Sequence, residues 1–206
     1  MTVLPRLPLI ALAALSAALI TACSTPSLPE RYHTLLPVER ATPVVVATPI
    51  YVDLLPVKVP EQVDHAQWVV RQPDDSLLML EQDRWAAPLQ DEIRGALVER
   101  LTSQWGAVDV RGVAQPQAPT WRVRVDVQRF ESIPSKEARI ESTWSVASTG
   151  SGGPTLVCRS ALREDVSGTG IAPLAAAHRR AVVRLSDEIG QRLKALQAGN
   201  AAGCGT

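Results

Sequence analysis

Apolar residues recur along this chain with two different periods. From residue 120, "TWRVRVDVQRF" alternates: Trp121, Val123, Val125 and Val127 point one way, Arg122, Arg124, Asp126 and Gln128 the other. Phe130 falls out of step with that set, which predicts a bulge near Gln128 and Arg129. "ARIESTWSVA" places Ile140, Trp144 and Val146 on one face, and "TLVCRSALRED" aligns Leu156, Cys158 and Leu162. The turn-forming run Ser148 to Pro154 separates those two stretches, so the three predict an antiparallel meander. Upstream, "RYHTLLP" predicts a short strand, Tyr32 to Leu36. "IYVDLLPVKVP" predicts an irregular strand, Ile50 to Pro60, in which Pro56, lacking the donor a central strand needs, suits an edge or a bulge. "QWVVRQ" and "SLLMLEQ" flank "PDD" and predict a hairpin.

The second period is helical. Leu89, Ile93, Leu97, Leu101 and Trp105 recur every four residues, with Pro88 suited to the first turn and Gly106 to the stop. Gly95 within that run predicts a close packing contact. Leu174, Ala181, Leu185, Ile189, Leu193 and Leu196 share one face of a terminal helix, Ile171 to Gln197. Strands, helix, three strands, helix predict an α+β domain over residues 31–198. The expected form is a single mostly antiparallel sheet covered on one face by two amphipathic helices, with a C-terminal tail, 199–206.

The amino-terminal stretch follows neither period. Leu7 to Ile20 is apolar or small apart from Pro8 and Ser16, and Arg6 precedes it. That length suits a signal-peptide core and is short for a membrane span, which needs roughly 20 residues. Ile20-Thr21-Ala22-Cys23 looks like a bacterial lipobox. It implies cleavage after residue 22, acylation of Cys23 with palmitate-type chains, and a lipidated tether, 23–30. Several acyl chains hold firmly where one alone is marginal. Ser24, where an Asp commonly favours inner-membrane retention, implies the outer membrane, facing the periplasm. The precursor's formal net charge is +0, and loss of Arg6 leaves the mature chain near −1 (0 − 1). No basic field is present to attract nucleic acid.

The chain shows no enzymatic constellation. His33, His65 and His178 are far apart and lack metal-ligand spacing, and there is no G-x-S-x-G, P-loop or G-x-G-x-x-G. The expectation is no catalytic residue, no metal and no cofactor. His178 borders the buried face of its helix and is expected to pack there. Arg122 and Arg124 fit a solvated strand face better than a site for an acidic partner. With Cys23 assigned to lipid, Cys158 and Cys204 are an even pair in an oxidising compartment, and a disulfide between them is expected.

Val57 to Leu101 carries the most informative run: Val57-Lys58-Val59-Pro60, Val69-Val70-Arg71, then Arg84-Trp85-Ala86-Ala87-Pro88-Leu89 opening a helix. With Tyr32, "WRVRVDVQRFES", the Trp144 strand and "AAAHRRAVVRLSDEI", this resembles the PqiC/YmbA family of bacterial envelope lipoproteins, auxiliary components of ABC-type transport systems. "EQVDH" departs from the acidic-Tyr-Leu-Asp-Arg sequence of the family. The resemblance implies a non-enzymatic accessory of an MCE-type lipid transport system that supports envelope integrity. It would dock on an MCE-type transport protein, and a ring-forming partner would suit a homo-oligomer. The competing readings are a direct lipid-binding module with an apolar groove and an envelope enzyme. Trp85 is the candidate partner anchor, Trp being enriched at interface hot spots; its alternative is packing on the sheet.

Overall fold

The computed structural model describes residues 28–39, 42, 44–113, 116–150, 153, 155–200 and 203–204. The signal peptide, Cys23 and most of the tether lie outside the described residues. Strands β1 (Arg31–His33) and β2 (Ile50–Leu54) are followed by a 3-10 turn (Glu61–Val63) and the hairpin β3 (Gln67–Arg71) and β4 (Leu77–Trp85). Helix α1 (Leu89–Trp105) leads to β5 (Ala107–Asp109). The meander β6 (Thr120–Ile133), β7 (Glu137–Ser148) and β8 (Thr155–Asp165) leads to helix α2 (Ile171–Gln197).

The strands form two sheets, not the single mostly antiparallel one expected. A three-stranded sheet runs β1-β4-β3 and a five-stranded sheet runs β5-β2-β6-β7-β8. β1 is parallel to β4, and β2 is parallel to both β5 and β6. The correction has a physical source. Alternation reports which face a side chain takes, while partner and direction are chosen by backbone groups that every residue carries. α1 returns the chain to the starting edge of the sheet, so β5 enters parallel to β2. β2 is interior rather than an edge, and stops at Leu54 before Pro56 can interrupt a ladder.

The meander is in register from Trp121 opposite Ser148 to Ile133 opposite Glu137, with a shift between Val127 and Arg129, where Phe130 leaves the alternation. The shift returns Phe130 and Ser132 to the face bearing Ile140, so the last turn of β6 is buried as well.

Both helices lie against the five-stranded sheet. α2 buries Leu174, Ala181, Leu185, Ile189 and Leu193, and α1 buries Leu89, Ile93, Leu97 and Leu101. The two helices approach closely at Gly190, where an added Cβ would lie 2.5 Å from the Trp105 ring. Gly95 gives room to Leu36, and Gly106, at φ 65°, ends α1 in the left-handed conformation. Arg100 and the Trp105 indole both hold Asp187, at 2.9 and 3.0 Å, tying α1 to α2.

Candidate partner-binding site at the start of helix α1

The segment Asp83–Pro88 is held from several sides. Its backbone pairs with β1, Trp85 donates its N–H to the Ala66 carbonyl (2.8 Å), and Ala86 donates to that of His33 (2.9 Å). Pro88 then ends the extended run, and its carbonyl accepts from Asp91 and Glu92 as the helix begins. Glu92 is buried in that first turn and accepts from the Leu35 N–H and the Thr34 hydroxyl, both at 2.7 Å. It therefore fastens the chain leaving β1 onto α1.

Asp83 does the same one strand away. It accepts from Arg31 (2.6 Å) and from His33 Nε2 (2.8 Å). Burial pushes its carboxyl up, but the hydrogen bonds from Arg31 and His33 outweigh this and hold it below the usual carboxylate range. Arg84, facing the other way, pairs with Glu30 at 2.9 Å.

The rings beneath form one stack between the sheets. Trp85 lies on Trp68 with centroids 3.9 Å apart, and meets Phe130 edge-on at 5.9 Å. Phe130 lies flat on His178, centroids 3.9 Å apart. The Trp68 indole N–H donates to Ser132 Oγ (3.0 Å). That leaves the Ser132 hydroxyl proton for His178 Nε2, 2.9 Å away. His178 is therefore a neutral acceptor, and burial pushes its pKa down to about 3. Its Nδ1 has no hydrogen-bond partner among the described residues. A ring enclosed in this way packs and stays neutral near pH 7.

Two hollows adjoin on the surface above, sharing Gln90. One, of about 470 Å³, is bordered by Asp64, His65, Ala66 and Trp85–Pro88. The other, of about 460 Å³, is bordered by Leu55–Val59 and Arg124. Trp85 is only 5 % exposed. One face is committed to Trp68 and Phe130 meets the ring edge-on, so an occupant of the first hollow meets little of the ring. Of the two arginines noted in the sequence, Arg122 pairs with Asp53 at 3.1 Å. Arg124 lines the second hollow and makes no ion pair among the described residues.

The remaining sequence-derived sites lie elsewhere. Cys158 and Cys204 are bonded to each other at the far edge of the five-stranded sheet, with Cα atoms 5.4 Å apart. Among the described residues no three His, Cys, Asp or Glu side chains are grouped to hold a metal. The stack and its two carboxylate fasteners escaped the sequence reading. Glu92 and Asp83 each had one available signal, an acid beside the apolar stripe of a helix and an acid inside a strand.

Comparison with known proteins bears on this arrangement directly. Residues 33–190 match the family model described as ABC-type transport auxiliary lipoprotein component. The chain belongs to that family. The resemblance read from Val57 to Leu101 and its companions is thus borne out at the level of the family. A crystal structure of an uncharacterized protein is 18 % identical with a TM-score of 0.65, over 80 % of this chain and 98 % of that one. A Xanthomonas campestris protein is 18 % identical with a TM-score of 0.57, over 82 % of this chain and 97 % of that one. At these identities the likeness concerns the fold. No curated protein matches the chain. Among the described residues no helix is long and apolar enough to cross a membrane.

Proposed function

We propose that this auxiliary lipoprotein is anchored by acylated Cys23 to the periplasmic face of the outer membrane. There it docks on the periplasmic assembly of an MCE-type lipid transporter and takes no part in chemistry. The observation that carries this reading is the family match, which runs over residues 33–190, from the end of β1 into α2. The surface best suited to docking is the pair of hollows around Gln90. They sit over the ring stack, they are bordered by Trp85–Pro88, and they offer an uncommitted Arg124 beside apolar Leu55, Val57 and Val59. A preformed surface loses little entropy on binding, which suits an accessory that meets a large partner.

A photo-crosslinking residue at Gln90 in the anchored protein tests the docking. Recovery of a component of the transport system is expected. Recovery of none would sink the docking reading, and lipid in place of protein would favour direct lipid binding. The anchor has its own test: Cys23→Ser leaves an unprocessed precursor without labelled fatty acid, and normal labelling of that variant refutes the lipobox.

A further inference from the structure

We infer that the amino end of β4, Leu77–Leu78–Met79, rests on the lipid surface that holds the anchor. The inference rests on acylation of Cys23. It goes further by fixing which end of the domain faces the membrane.

The direction comes from the register of β1. β1 is parallel to β4, with Arg31 opposite Asp83 and His33 opposite Trp85. The chain before Arg31 therefore approaches from the side of β4's amino end. Cys23 is eight residue steps before Arg31, a reach of at most about 29 Å when fully extended. From Asp83 back to Leu77 is six steps, about 20 Å of strand. A tether drawn out along the strand thus places its acyl chains less than about 10 Å beyond Leu77. Any slack brings the hairpin closer to the lipid.

The surface found there suits a lipid boundary. Leu77, Leu78 and Met79 are 45 %, 48 % and 38 % exposed, three apolar side chains in a row. β1 pairs only with Asp83 to Trp85, so among the described residues the second side of β4 is an open edge from Leu77 to Gln82. Pro29 has no N–H with which to extend β1 along it. An exposed apolar edge of this kind is covered by something in a soluble setting. Here the tether's length brings it to lipid.

The neighbouring charges set the depth. The turn carries Asp74 and Asp75, while Arg71 and Lys136, with Ile133 and two prolines, border a hollow of about 520 Å³ between this turn and the β6–β7 turn. Acids and bases at one end cancel. The seat is therefore shallow, with charges among the head groups, and it needs no anionic lipid.

The test uses the full lipidated protein in vesicles of phosphatidylethanolamine with a minor fraction of phosphatidylglycerol. A spin label is placed at Leu78→Cys, with Val108→Cys on distant β5 as control. Relative collision with oxygen and with a water-soluble nickel chelate is read at each. The oxygen preference is expected to be several-fold higher at position 78 than at 108, and unchanged by added salt. In the unsubstituted protein, vesicles should slow amide exchange over residues 77–82. Equal access of the chelate to both labels overturns the inference, as does spin–spin broadening at position 78, which would mean a second copy covers the edge. Protein that floats with vesicles yet shows a water-exposed position 78 refutes this inference alone. Unsubstituted protein that does not float refutes the anchor and this inference together.

Discussion

At its carboxyl end β4 is paired on both sides, its Asp83 is fastened by Arg31 and His33, and Trp85 is closed between Trp68 and Phe130. At its amino end the same strand pairs, among the described residues, only with β3, and Leu77, Leu78 and Met79 are exposed. The amino end carries three apolar residues in a row, Leu77 to Met79, and the carboxyl end a single one, Trp85, after Asp83 and Arg84. What separates them is the position of a three-residue partner strand and of the rings behind it. Burial, not composition, converts apolar area into stability. The carboxyl end therefore holds the two sheets together, while the amino end is free for contact outside the domain. Glu131, itself buried, makes a second tie between the sheets, where Arg71 reaches it at 2.6 Å from β3. Burial pushes the Glu131 carboxyl up, and the hydrogen bonds and charges of Arg71 and Arg129 together more than reverse that.

Four measurements would break or sharpen this comparison. The largest effect is expected for Trp85→Ala, which empties one layer of the stack and should lower unfolding free energy by about 3–5 kcal/mol in urea denaturation. A loss below about 1 kcal/mol would show that the seam does not hold the sheets.

Reduction of the Cys158–Cys204 link comes next. It closes 204 − 158 = 46 residues, and its loss should cost about 2–4 kcal/mol without altering the stack. Mass spectrometry of the unreduced mature protein checks the premise, since two freely alkylated thiols would remove it.

The third concerns pH. His178 is held neutral in the folded chain, with a pKa of about 3, and regains an ordinary value near 6.5 on unfolding. The unfolded state therefore binds the extra proton first as pH falls. The contribution is complete above about pH 6.5, and roughly 2 kcal/mol of it is lost by pH 5. In His178→Phe the decline between pH 6.5 and 5 should flatten. The acid-side decline from Asp83, Glu131 and Glu164, all held below the usual carboxylate range, should remain. An unchanged slope in the variant would place the pH dependence elsewhere.

The smallest effect is expected at the other end of β4. Leu78→Ser should move the unfolding free energy by less than about 0.5 kcal/mol, because little area is buried there. A loss approaching that of Trp85→Ala would erase the distinction between the two ends.

Much of this was legible in the sequence, for local reasons. The α1 stripe from Leu89 to Leu101, the terminal helix, the hairpin around Pro73 and the meander all follow from side-chain period and turn residues. So does the bulge that brings Phe130 inward, since a single step out of alternation marks an extra residue. The Arg84–Leu89 run also led to the family. The candidate site was legible only as one residue, Trp85. Its neighbours come from three separate elements, Trp68 from β3, Phe130 and Ser132 from β6 and His178 from α2, and no spacing in the chain links the three.

What only the tertiary structure decided was partnership. That β1 lies parallel to β4, that β2 runs inside the larger sheet, and that the strands divide into two sheets all depend on main-chain donors and acceptors. Those groups are the same at every position except proline, so they leave no mark in the order of side chains. The sequence determined which face each residue would seek. Long-range pairing determined what each face would find, and so which end of β4 became a seam and which stayed open.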